Sequence, residues 1–174
     1  MNHIRRIAAH EVYGNDYGTL FDDEVAWPSG RRGWHLRLRV GDGTPGVVIV
    51  PRYGDKIGLV HTFRYAINSY QWGFPRGYGQ NPDPLLTARS ELHEEMGLSG
   101  QFAMLGWFTP DSGIQEMRVA VVLADVEGLN GDIHDTDEVT DVAWMTPEDL
   151  KTRLGKVGWD DGMTMAALAL LDAL

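Results

Sequence analysis

Three glutamates, Glu91, Glu94 and Glu95, stand close together in the run Ser90-Glu91-Leu92-His93-Glu94-Glu95-Met96-Gly97-Leu98. On a helix, residues three and four apart share a face. Carboxylates packed so closely repel one another, and each loses stability or takes up a proton unless a cation sits between them. An all-oxygen cluster suits magnesium or manganese. A pair of such ions can bridge phosphate oxygens and activate a water for in-line attack. The same spacing also describes a solvated acidic helix face, since glutamates are ordinary surface residues. His93 lies between the carboxylates in sequence but is turned away from them, and no partner stands at zinc-ligand spacing.

The elements that must carry these groups are legible around them. Asp83 suits a helix cap, Pro84 the first helical position and Gly97 a left-handed exit, so a helix is expected over Asp83–Met96. Its Leu85, Ala88, Leu92 and Met96 form a stripe that faces a core. Before it, Gly73–Pro82 holds two prolines and three glycines and reads as a shaped loop. Strands are expected within Val12–Phe21, at Trp34–Val40, Val47–Val50, Ile57–Phe63, Tyr70–Phe74, Phe102–Phe108, Glu116–Val126 and Val139–Met145. Thr146 and Asp149 form a reciprocal helix start, and a last helix runs from about Asp161 to the end of the chain. The pattern predicts an α+β fold, a mixed sheet sandwiched between helices, with an N-terminal antiparallel strand region.

The glycine-rich segment Gly73-Phe74-Pro75-Arg76-Gly77-Tyr78-Gly79-Gln80, followed by a capped helix with an acidic cluster and a glycine exit, resembles the Nudix hydrolase signature. Gly77 matches its opening glycine, Glu91 the glutamate of its arginine-glutamate pair, Glu94-Glu95 its double glutamate, and Gly97-Leu98 its closing pair. The resemblance implies that Glu91, Glu94 and Glu95, joined by the backbone carbonyl of Arg76, hold Mg2+ or Mn2+. It also implies cleavage of a nucleoside diphosphate linked to another group. Two positions depart from the pattern. Ser90 stands where the family has arginine, with Arg89 about 100 degrees away around the helix. The spaced glutamate is replaced at Pro82 or Asp83 in a loop one residue shorter.

The likeness extends to the ADP-ribose pyrophosphatase branch through Tyr13–Arg39, Val47–Gly77 and Asp160-Asp161-Gly162-Met163-Thr164. It implies a homodimer, with residues 1–42 as a dimerisation subregion of a single domain spanning 1–174. Ser112 stands where that branch carries a proline, which leaves other nucleotide sugars open beside ADP-ribose. By the same likeness Glu138 assists the attacking water, so Glu91, Glu95 and Glu138 are the expected catalytic residues. A solvated acidic loop is the other reading of Glu138, and Asp135 and Asp137 compete for its role. Arg64 and Arg76 are candidates to bind substrate phosphate, since guanidinium groups grip phosphate through paired hydrogen bonds. Arg52 is a further one. Trp27 and Trp34 can stack a base.

Composition bounds the function. The net charge of −10 disfavours nucleic acid or an anionic membrane as partner, but leaves room for a phosphate substrate where arginines or cations reverse the sign locally. The absence of cysteine removes disulfides, thiolate catalysis and cysteine-ligated metals. The first ten residues lack the apolar core of a signal peptide, and no apolar run reaches the roughly 20 residues needed to span a bilayer. A cytoplasmic, soluble protein is expected. The expected activity is metal-dependent hydrolysis of a nucleoside diphosphate sugar. The alternatives are a nucleoside triphosphate pyrophosphatase or a non-catalytic nucleotide-binding protein of the same fold.

Overall fold

The computed structural model describes residues 2–79 and 81–173; Gln80 of the glycine-rich loop and Leu174 of the expected last helix lie outside them. The chain forms two compact units, Met1–Thr44 with Thr109–Arg118, and Pro45–Phe108 with Val119–Leu174. Among the described residues no helix is long and apolar enough to cross a membrane.

The first unit is an antiparallel sheet of β1 (Arg5–Ala8), β2 (Glu11–Asn15), β3 (Gly18–Ala26) and β4 (Arg32–Val40). β3 is its centre. β1 pairs with the Glu24–Ala26 end, β2 with the Gly18–Phe21 end, and β4 runs along the whole of the other edge. The β2–β3 turn is closed by the Asn15 side chain, which accepts from the amides of Tyr17 and Gly18. β4 contains the expected strand Trp34–Val40, whose alternation puts Trp34, Leu36, Leu38 and Val40 on one face and His35, Arg37 and Arg39 on the other. Trp34 and Leu36 are 60% and 45% exposed, whereas the Arg37 side chain is only 15% exposed. Arg37 is drawn inward by Asp23, which accepts from it at 2.6 and 3.1 Å, and its guanidinium lies 4.0 Å over the Phe21 ring. The segment expected to begin a strand at Glu116 instead meets β4 there. The Leu38 amide donates to Ile114 and the Glu116 amide to Leu38, both at 2.8 Å, and Arg37 and Arg39 grip the Glu116 carboxylate.

The second unit holds β5 (Gly46–Tyr53), β6 (Lys56–Arg64), β7 (Ser69–Gly73), β8 (Arg76–Tyr78), α1 (Pro84–Met96), β9 (Gly100–Phe108), β10 (Val119–Val126), β11 (Val139–Met145), α2 (Pro147–Arg153) and α3 (Gly162–Leu171). The path through the sheet is β11-β6-β5-β10-β9; β5 and β10 are parallel and the other pairs antiparallel. Val47–Val50 is buried on both faces, which explains its unbroken apolar run. On one face Val47, Ile49, Val60, Ala120 and Val122 pack with Ala88, Leu92 and Met96 of α1. α3 packs against β5, β9 and β10, with Ala167 and Leu168 buried. The fold is therefore α+β, a mixed sheet flanked by helices, as expected.

One departure from a regular sheet shapes the region of the glycine-rich loop. β5 and β6 pair only beside their turn, at Arg52–Ile57 and Tyr53–Lys56. Beyond it they part. β8 takes the freed edge of β5 at Val48 to Gly46, and β7 takes that of β6 at Val60 to Arg64. The glycine-rich loop is thus partly strand, because backbone amides and carbonyls left open by the parting must find partners.

Candidate active site

α1 forms as its sequence dictates. The Asp83 carboxylate accepts from the Leu85 amide at 2.9 Å, and Gly97, at φ 65°, ends the helix. The helix then sorts its three glutamates by depth. Glu95 lies on the buried stripe with Thr87, Ala88, Leu92 and Met96 and is 6% exposed; Glu91 is half-buried and Glu94 exposed.

The two deeper carboxylates meet the glycine-rich loop. Glu95 Oε1 accepts from the Arg76 amide at 3.2 Å. The Glu91 carboxylate lies against Gly77 so closely that any Cβ there would overlap it. Burial pushes Glu95 up to about 8, against the pull of the Arg76 amide; the charge of Glu91 raises it further, Arg64 lowers it and Glu138 raises it. Burial also pushes Glu91 up to about 7, helped by the charges of Glu94, Glu138 and Asp135. Each group therefore holds a proton near neutrality or calls for a cation.

Glu94 does different work. Its backbone carbonyl accepts from the amides of His134 and Asp135, both at 2.9 Å, and so ties the acidic loop to the end of α1. Gly97 and Gly131 make this close approach possible, since a side chain on either would strike the other segment's backbone. The Asp135 carboxylate then accepts from the Glu138 amide at 3.1 Å. This docking places Asp135 and Glu138 where their charges act on Glu91. His93 and His134 come together as well, with ring centroids 4.6 Å apart.

The cationic side chains divide into used and unused. Arg76 donates to Asp161 at 2.8 Å, and Arg52 is gripped by Asp125 at 2.6 and 2.8 Å. Arg64 is held below the usual arginine range by burial and by its neighbour Arg76, while Asp161, Glu95 and Glu138 counter this, and its buried Nε has no hydrogen-bond partner among the described residues. Arg89 points elsewhere, 4.8 Å over Phe102, and Ser90 is exposed. Trp27 and Trp34 belong to the first unit. Trp27 packs on Gly33 beneath the Arg31 guanidinium at 3.9 Å, and Trp34 tilts against His10 at 5.4 Å. In the sequence Asp161 stands at the start of the last helix and within a segment that carries the family likeness, with no site role attached to it. Its place beside Arg76 depends on a contact 85 residues apart, which no local pattern signals.

A divalent cation can be weighed against these residues. Among the described residues, no three carboxylates or histidines are gathered closely enough to hold a metal ion, so the expected convergence of Glu91, Glu94 and Glu95 is not preformed. Glu91 and Glu95 nevertheless fit a hard cation. Both are oxygen donors, neither forms an ion pair among the described residues, and burial disfavours their charge unless it is compensated.

Comparison with known proteins places this geometry. A family model described as NUDIX domain matches residues 43–167. No curated protein matches the chain in sequence. Its fold is similar to a crystal structure described as an ADP compounds hydrolase, at 19% identity and a TM-score of 0.85, over 99% of this chain and 94% of the other. The Nudix family generally binds divalent metal ions and a nucleotide-type substrate. With the family model spanning most of the sequence, the chain belongs to the Nudix family and is a Nudix-type phosphoanhydride hydrolase.

Proposed function

We propose that this enzyme hydrolyses the pyrophosphate bond of a nucleoside diphosphate sugar, ADP-ribose among the candidates, giving a nucleoside monophosphate and a sugar phosphate. The observation that carries this reading is the meeting, at one opening of the sheet, of two cation-demanding carboxylates and one arginine with an unsatisfied donor. A pyrophosphate bridged by cations would satisfy both. The likeness of fold to an ADP compounds hydrolase supports the substrate class.

In this reading Glu91 and Glu95 hold Mg2+ or Mn2+, with Glu94 beside them and the Arg76 carbonyl as a further oxygen. The ion, when bound, supplies charge neutralisation and Lewis-acid activation. In the same reading the Arg64 guanidinium, whose buried Nε lacks a partner among the described residues, donates to a phosphate oxygen, and a charge-assisted bond of this kind orients the diphosphate. Glu138 is exposed, and its charge reaches both deep glutamates, so its carboxylate can take the proton of the attacking water. Trp27 and Trp34 are the proposed base-stacking residues; Trp34 is supported by its exposure. Residues 1–42 are the proposed dimerisation subregion, supported by exposed Val12, Tyr13, Trp34 and Leu36.

The test is a substrate panel with each metal and product analysis. A nucleoside monophosphate plus a sugar phosphate is expected. Release of inorganic pyrophosphate from nucleoside triphosphates, with no turnover of nucleotide sugars, would replace this reading with the triphosphate pyrophosphatase. A single-subunit mass by light scattering at micromolar concentration would remove the dimer.

A further inference from the structure

The start of α3 holds a buried polar hub outside the glutamate helix. Asp161 is 7% exposed and Thr164 1%. Asp161 Oδ2 accepts from the Thr164 amide at 2.9 Å and from its hydroxyl at 2.6 Å, while Oδ1 accepts from Arg76 Nη1 at 2.8 Å. The Thr164 oxygen in turn accepts from the Phe74 amide at 3.0 Å. A side chain at Gly73 would press on both groups, with Thr164 Oγ1 3.0 Å and Asp161 Oδ2 3.1 Å from its Cβ. Residues 73–76 are thus strapped to α3 by this hub and to α1 by Glu95.

The hub also sorts the two arginines. Two buried carboxylates stand among Arg64 and Arg76: Glu95 accepts from the Arg76 amide, and Asp161 is the one that takes the Arg76 guanidinium. Arg64 keeps an Nε without a partner among the described residues. We propose that Asp161, buttressed by Thr164, is a positioning residue of the hydrolase: it commits Arg76 to holding the glycine-rich loop and thereby leaves Arg64 as the arginine that binds the substrate diphosphate. The Arg64 half of this assignment rests on the proposed function; the Asp161–Arg76 half does not.

The division of labour predicts coupling. Asp161→Asn keeps an acceptor for the helix cap but loses the charge that holds Arg76, so the loop shifts and turnover falls about 10- to 100-fold, as small misplacements do. Thr164→Val removes the buttress and gives the same direction with a smaller loss, and it serves where Asp161→Asn does not fold. The decisive measurement is a double-mutant cycle of each variant with Arg76→Gln. It is read both in kcat and KM and in the binding of inorganic pyrophosphate by calorimetry. If Asp161 acts through Arg76, the double variant is no worse than Arg76→Gln alone. Arg64→Gln weakens pyrophosphate binding about tenfold or more, while Arg76→Gln lowers kcat with KM nearly unchanged. Additive losses in the cycle would overturn the positioning role. Equal loss of pyrophosphate binding in the two arginine variants, in an enzyme that still turns over nucleotide sugars, would overturn the division of labour while sparing the proposed function. Wild-type protein that binds no pyrophosphate would count against both.

Discussion

The carboxylate of Glu91 occupies the space that a side chain at residue 77 would fill. Helix and loop are thus complementary at a single hydrogen atom. Gly77→Ala would force the Glu91 side chain or β8 to move, at about 1–3 kcal/mol for the overpacking. A lowered melting temperature and at least a tenfold loss of turnover are expected, since the displaced group is a proposed metal ligand. Gly128→Ala, where added atoms meet nothing within 4 Å, is the control and should be neutral. Wild-type turnover in Gly77→Ala would show that the contact has no part in catalysis.

Glu91→Gln and Glu95→Gln should each lower turnover by roughly 100-fold or more, as loss of a group acting on developing charge does, with a smaller change in KM. Glu148→Gln, at a helix start with the side chain 78% exposed, should leave turnover unaltered. Steady-state kinetics in saturating magnesium decides. Near-wild-type rates in both of the first two would sink the metal-helix mechanism.

The raised values of Glu91 and Glu95, about 7 and about 8, make the metal-free protein less stable as pH rises. Between the ordinary value of 4.5 and these folded values, the native state binds more protons than the unfolded one. Stability is fully present at the acid end of that window and falls until pH passes about 8. Melting curves in chelator, from about pH 5 to about pH 9, should slope downward, and Glu95→Gln should flatten them. Magnesium affinity should run the other way and rise with pH, because cation and proton compete for the same oxygens. A flat metal-free profile would contradict the burial argument.

Asp23 shows the opposite sign. Its hydrogen bonds to Arg37 hold the carboxyl below the usual range against the effect of burial, with Arg6 helping. Its contribution is present above the ordinary value near 3.8 and is lost as pH falls through the folded value. Asp23→Asn leaves the inward Arg37 short of a charge partner, at about 3 kcal/mol. A fall of several degrees in melting temperature at neutral pH is expected. A change within about 2 °C would show that Glu116 alone suffices to hold Arg37.

Local chemistry determined a large share of this protein from sequence alone. Asp83, Pro84 and Gly97 bound α1 because capping needs only near neighbours, and Thr146 with Asp149 set α2 for the same reason. The unbroken run Val47–Val50 declared a strand buried on both faces. The spacing of Glu91, Glu94 and Glu95 around Gly77 and Gly97 marked a candidate site, and Glu91 and Glu95 meet the glycine-rich loop there. What sequence could not decide was depth and partnership. Three glutamates on one helix are equivalent by spacing, but only the packed sheet buries Glu95, half-buries Glu91 and leaves Glu94 to anchor the acidic loop through its carbonyl. Arg64 and Arg76 are equally plausible phosphate ligands on paper, and Asp161, far along the chain, engages one of them. In β4 the alternation put Trp34, Leu36, Leu38 and Val40 on one face of a half-buried strand, yet only the fold decided that Arg37 of the other face turned inward, because Asp23 lay across the strand pair to neutralise it. Propensity, capping and periodicity act over a few residues, whereas desolvation and ion pairing depend on which distant groups the fold brings within a few ångströms.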